Sequence, residues 1–248
     1  MKVVAIIQAR MGSTRLPGKV LRVLGGSTVL AHVVRRTQST PGIDETVVAT
    51  TESPRDAAIV EQALRLETSV FRGSEEDVLS RYRHAAERAR ADAIVRVTSD
   101  CPLLDSEVLA AMVARFVELQ RSGTPVDYLS NTLERTYPRG LDIEIFTFAA
   151  LVRADREARS PAEREHVTPY LYRHPEAFRV AQFRGDRDLS AYRWTLDTEE
   201  DWELLEGIFR RLDRPGRGIR TSDVLDLLAR DPGLAATNAS VIQKAMGH

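Results

Sequence analysis

Four short runs rich in β-branched residues mark the first half of the chain: Val3–Gln8, Thr46–Thr51, Ser69–Phe71 and Ala93–Thr98. Between and after them, Thr28–Gln38, Pro54 to about Leu66, Glu75–Arg90 and Ser106–Arg121 place apolar residues at helical spacing. Strands alternating with helices require right-handed crossovers, hence a mostly parallel sheet covered on both faces. The pattern predicts an α/β fold, Rossmann-like and doubly wound. In such a sheet, ligands gather where the strands end at their carboxyl termini.

The second half is less regular. Asp127–Leu129, Asp142–Phe148 and Phe178–Phe183 read as strands, and Ala149–Arg159 and Ala162–His174 as helices, the latter interrupted at Pro169. Thr198 is placed to cap a further helix, with Asp201 three residues on. Pro215-Gly216 breaks the chain, and Thr221–Gln243 reads as two short helices around Asp231-Pro232-Gly233. At 248 residues the chain is long for one domain and short for two. We expect one α/β domain over 1–212 and a helical appendage over 213–248.

A formal net charge of −1 predicts neither a nucleic-acid nor a membrane partner. The charge is uneven, however. Residues 1–43 hold seven basic side chains and no acidic one, which suits a polyanionic small molecule as well as a solvated surface. One cysteine, Cys101, excludes an intrachain disulfide. The amino terminus lacks a signal-peptide pattern and no apolar run has membrane-span length, so the expected location is the cytoplasm.

The loop Gln8-Ala9-Arg10-Met11-Gly12-Ser13-Thr14-Arg15-Leu16-Pro17-Gly18-Lys19 follows the first strand. Gly12, Pro17 and Gly18 favour tight turns, and Arg10, Arg15 and Lys19 supply cations. Backbone amides and guanidinium forks in such a loop suit phosphate oxygens. A basic surface loop would look the same by composition. It is not a P-loop: five residues separate Gly12 from Gly18, and Val20 stands where the metal-binding hydroxyl belongs. No GxGxxG fingerprint opens the first turn either. Taken as residues alone, Asp100 and Asp197 read as turn or helix-cap acids as easily as metal ligands.

The stretch VVAIIQARMGSTRLPGKVL resembles the opening signature of the sugar-acid cytidylyltransferases, roughly I-x-A-R-x-x-S-x-R-x-P-G-K-x-L. Val70–Leu79, Pro138–Glu144, Arg164–Tyr170 and Leu196–Asp201 resemble the spore coat polysaccharide biosynthesis (SpsF) branch. The resemblance covers the chain to about residue 212. It implies a GT-A-like fold and a Mg²⁺-dependent enzyme that transfers a nucleoside monophosphate, from CTP, to a sugar or sugar acid in surface or spore-coat polysaccharide synthesis. It implies nucleotide contacts from Gln8, Ala9, Arg10, Gly12, Ser13, Arg15, Lys19 and Arg72, with Gln8 a departure from the proline common at that position. Arg10, Lys19 and Asp100 would be catalytic, and Asp100 and Asp197 would hold the metal. Arg139, Asp142, Glu144 and His166 would face the acceptor, within a region (126–183) that also serves a homodimer. Cys101 would be packing. Two rival readings are a GT-A glycosyltransferase using a nucleotide-sugar, disfavoured because only Asp100 stands where an Asp-x-Asp motif belongs, and a non-catalytic nucleotide-binding subunit, disfavoured because Arg10, Lys19 and Asp100 are all present.

Overall fold

The computed structural model describes residues 1–214 and 217–243. Pro215-Gly216 and the last positions of the expected appendage, 244–248, lie outside the described residues. Strand β1 (Val3–Gln8) occupies the middle of a seven-stranded sheet. Beside it lie β4 (Glu45–Thr51) and then β5 (Ser69–Gly73) on one flank. On the other flank lie β6 (Ala93–Thr98), β8 (Glu144–Thr147), β7 (Tyr128–Ser130) and β9 (Val180–Gln182). Strands β5, β4, β1 and β6 run parallel, whereas β8 is antiparallel to both β6 and β7. This is the mostly parallel layer that the alternation predicts, with one reversed strand in the less regular half.

Alternate residues of β1 feed two cores. Val3, Ala5 and Ile7 pack with α1 (Val29–Gln38), α2 (Ala57–Arg65) and α4 (Ser106–Arg121). Val4 and Ile6 pack on the opposite face with α3 (Val78–Arg88), α5 (Phe148–Glu157) and α7 (Pro169–Arg173). Each β1 side chain in this set is fully or almost fully buried, worth about 1.5–3 kcal/mol apiece for the larger ones. This two-sided burial explains why the strand reads as continuous apolar sequence rather than as alternation.

Three local features have plain causes. The helix expected from Glu75 begins at Val78, because Asp77 caps it by accepting from the Ser80 amide. The interruption expected at Pro169 separates two helices, α6 (Pro161–His166) and α7, where Val167 takes a positive φ of 74° before Thr168-Pro169. A hairpin of β2 (Val23–Leu24) and β3 (Ser27–Thr28), turned by Gly25-Gly26 with positive φ, was not expected, although a Gly-Gly pair is a hairpin signal.

A third core lies beneath the carboxyl-terminal segments. Helix α8 (Glu199–Leu212) presents Leu204, Leu205, Ile208 and Phe209 to Leu16, Leu24, Trp194 and Leu196. Helix α9 (Thr221–Arg230) adds Val224 and Leu228 to the same cluster, and α10 (Pro232–Ala236) lays Leu234 on Gly207 of α8. The first loop and the tail thus share a core through Leu16. Two distant segments also meet edge to edge: the Arg139 amide donates to Tyr192 O, and the Trp194 amide to Arg139 O. Gly140 makes this approach feasible. Its φ is +106°, and a Cβ there would lie 2.6 Å from the Trp194 carbonyl carbon and 2.7 Å from the Thr195 nitrogen. Gly140→Ala is therefore expected to lower stability by at least about 1–3 kcal/mol, read as a lower urea midpoint with an unchanged slope. A midpoint equal to the wild type's would show that the 139–193 pairing tolerates a side chain there.

Candidate active site

The register of β1 sets Gln8 opposite Ala49 of β4 and Thr98 of β6, so the chain leaves all three strands on one rim. The loop that starts there is tethered at its entry. The Ala9 amide donates to Ala49 O, and the Met11 amide donates to the Asp56 carboxylate at 2.8 Å. Asp56 is 2% exposed and also accepts from both hydroxyls of Thr50 and Thr51. Met11 O then accepts from the amides of Ser13 and Gly18, which folds the loop back on itself, and Gly18 adopts the left-handed conformation, φ 68°. Among the described residues, the amides of Gly12, Thr14 and Arg15 have no protein partner. Unpaired donors on a folded-back loop are the kind of group that can bind an anion.

Lys19 opens a short 3₁₀ turn and points inward from the exit of the loop. Its ammonium donates to Asp100 at 2.7 Å, to Asp197 at 2.8 Å and to Leu196 O at 2.6 Å. Asp100 stands on the turn after β6, and its carbonyl receives the Leu196 amide, which brings the 193–197 segment alongside. Asp197 is further paired with Arg15 at 3.2 Å and Arg193 at 2.7 Å. Burial would lower the Lys19 pKa, but the two carboxylates outweigh it and raise it. Burial would likewise raise the Asp100 carboxyl, yet the Lys19 charge and hydrogen bond hold it below the usual carboxylate range. The ammonium and the Asp100 carboxylate are therefore both ionised at neutral pH.

Two carboxylates converging on one cation are also the donor set a hard divalent ion asks for, and the Lys19 ammonium marks where they converge. No cluster of three or more acidic, histidine or cysteine side chains suited to a metal occurs among the described residues. Mg²⁺ needs only one or two protein carboxylates when phosphate oxygens and water complete its shell. Asp100 and Asp197 fit such an ion in the company of a nucleotide.

The remaining expected residues divide by what they touch. Arg10, half exposed, lies 3.8 Å from Glu165 and lines a cavity of about 400 Å³ with Glu75, Glu76, Asp77 and Arg164. Ser13 accepts from the Leu16 amide through its hydroxyl, and Gly12 leaves room for Glu75. The Gln8 side-chain oxygen is buried without a partner among the described residues. Arg72 has a different occupation: its guanidinium donates to the carbonyls of Thr51, Glu52 and Ser53 and so clamps the turn after β4.

Of the four residues expected at the acceptor, Asp142 is held in a two-pronged pair with Arg135. Glu144, 6% exposed, is paired with Arg96 and accepts from Tyr128 and Thr168. Both carboxylates therefore orient neighbouring arginines. Arg139 has no ion-pair partner among the described residues, and burial lowers its pKa. His166 ends α6, and burial keeps its imidazole below the ordinary value, hence neutral at pH 7. Cys101 is buried and its thiol is pushed well up, which leaves it inert packing.

Asp56, Arg193 and Asp201 are central to the geometry and went unread in the sequence as site residues. Asp201, fully buried, accepts from the Asp197 and Thr198 amides and from Arg193. Only its cap spacing from Thr198 signalled it. Removing the Lys19 ammonium strips Asp100 of its ion-pair partner, while Asp197 keeps only Arg15 and Arg193. Lys19→Ala is expected to cost roughly 3–5 kcal/mol, with part of the loss recovered in Lys19→Ala/Asp100→Asn. Urea unfolding of the set checks this, and strictly additive losses would show that the three groups do not act together.

The description "Cytidylyltransferase" belongs to the family model that matches residues 4–214. Spore coat polysaccharide biosynthesis protein SpsF of Bacillus subtilis is 34% identical over 238 residues, 93% of this chain and 95% of that protein. The solved structure of a cytidylyltransferase from Leptospira borgpetersenii superposes with a TM-score of 0.90 at 39% identity, covering 98% of this chain and 100% of the other. A CMP:2-keto-3-deoxy-manno-octonic acid synthetase, solved with CTP, shares the fold at a TM-score of 0.65 and 17% identity, over 85% and 99% of the two chains.

Proposed function

The chain belongs to the cytidylyltransferase family and is a nucleotidyltransferase of that type, and on this footing we propose that it transfers CMP from CTP to a sugar or sugar acid in surface or spore-coat polysaccharide synthesis. The observation that carries the reading is the meeting of Lys19, Asp100 and Asp197 beside a loop with unpaired amides and the exposed Arg10 and Arg15. Such a centre suits a triphosphate that must be gripped, neutralised and opened at its α-phosphorus.

In the proposed reaction an acceptor hydroxyl attacks the α-phosphorus in line and gives up its proton to water. A new oxygen–phosphorus bond forms, the bond to the α–β bridging oxygen breaks, and pyrophosphate leaves with the electron pair. The Gly12, Thr14 and Arg15 amides, with Arg10 and Arg15, hold the departing phosphates. Gln8 and Ala9 lie at the end of β1, where the base would rest. Lys19 keeps the two carboxylates from repelling each other and the substrate. A divalent ion, read as Mg²⁺, held by Asp100 and Asp197 would neutralise charge at the α-phosphate. Arg139 and His166 would contact the acceptor, with Asp142 and Glu144 acting behind them as the groups that fix Arg135 and Arg96. The homodimer through 126–183 and the cytoplasmic location stay part of this proposal. No helix among the described residues is long and apolar enough to cross a membrane.

Pyrophosphate release with each of four nucleotides and a panel of sugars is expected only with CTP, one acceptor and a divalent metal. Asp100→Ala should lose it by roughly 100-fold or more. Arg139→Ala should raise KM for the acceptor with little change in KM for CTP. Nucleotide-sugar consumption without pyrophosphate release would instead favour a glycosyltransferase.

A further inference from the structure

The family match ends at residue 214, yet the chain beyond it returns to the site. Asn238, 4% exposed, donates from its side-chain amide to Arg193 O at 2.9 Å and to the Asp201 carboxylate at 2.8 Å. Gln243 accepts from the Arg193 guanidinium through its side-chain oxygen. The same guanidinium spends its other donors on Asp201 and, at 2.7 Å, on Asp197. We propose that the carboxyl-terminal tail is a working part of the active site, in which Asn238 and Gln243 are positioning residues that hold Arg193, and through it the Asp197 carboxylate, in place opposite Asp100. This rests on the reading of Asp197 as a nucleotide–metal ligand.

The physical case is one of fixed orientation. A guanidinium is a planar fork, and its usefulness depends on which way the plane faces. Asp201 alone holds one side of the Arg193 fork. Gln243 holds the opposite nitrogen, so the fork cannot rotate away from Asp197. Asn238 ties both the Arg193 backbone and Asp201 to the tail inside a buried pocket, where an unmade hydrogen bond is costly. The tail is seated independently by Leu234 on Gly207 and by α9 in the third core, so Asn238 and Gln243 are presented from a packed segment rather than from a free end. Groups that orient a metal ligand in this way commonly change metal affinity by 10- to 100-fold when lost.

The test is CTP binding by calorimetry to the full-length protein, titrated over Mn²⁺ concentration and repeated in chelator. Asn238→Ala is expected to raise the Mn²⁺ requirement roughly tenfold while leaving metal-free CTP affinity unchanged. Gln243→Ala should raise it less, and Gln243→Glu, which keeps an acceptor for Arg193, should restore it. The Gln243 pair is exposed, so it carries the test even where Asn238→Ala fails to fold. Equal metal requirements in wild type and both Gln243 variants, or an equal weakening of metal-free binding, would overturn the tail's role. A wild type that binds no CTP in a metal-dependent way would overturn the nucleotide reading, and this inference with it.

Discussion

The ammonium of Lys19 between Asp100 and Asp197 is the interaction on which the rest of the site depends. A cation buried in this way has lost most of its water, and only close, well-directed partners offset that cost. Two carboxylates and a carbonyl at 2.6–2.8 Å do so. The reverse also holds: the two acids tolerate each other because a cation stands between them. Three segments remote in sequence are thereby fixed relative to one another, namely the exit of the first loop, the turn after β6 and the strand-like 193–197 stretch.

Much of the architecture serves that meeting. Parallel pairing of β1 with both β4 and β6 delivers the loop, the Asp56 anchor and Asp100 to one rim. Gly140 admits the 193–195 backbone at close range, and Asp201 at the head of α8 gathers the Asp197 amide and the Arg193 guanidinium. The third core, shared by Leu16, Trp194, α8 and α9, supports this gathering from beneath. The loop itself stays open toward solvent, with Arg10 and unpaired amides at its surface. That division between a rigid base and an accessible lip is what a site for a large polyanion requires.

The sheet was legible because β1 reads as one continuous apolar run and β4 and β6 as short runs rich in β-branched residues, all largely buried. The first loop was legible because its glycines, proline and cations sit close together in sequence. Asp100 and Asp197 were visible only through resemblance, since a single acid after a strand has several ordinary uses. Glu144 and Asp142 show the limit of that route: a motif locates a carboxylate without telling whether it faces a ligand or an arginine, and here Arg96 and Arg135 occupy them. Arg72 is similar, because its carbonyl partners lie 19 to 21 residues away along the chain. Asp56, Arg193 and Asn238 act through contacts across 45 residues in each of two cases, Asp56 with Met11 and Asn238 with Arg193, and no local pattern encodes such pairings.

The most direct measurement is the location of Mn²⁺ by anomalous scattering in crystals grown with CTP. We expect one site held between the Asp100 and Asp197 carboxylates, in contact with the α-phosphate, with the triphosphate lying along the amides of Gly12, Thr14 and Arg15. Bound CTP with its metal away from both carboxylates, or a triphosphate outside the first loop, would contradict it.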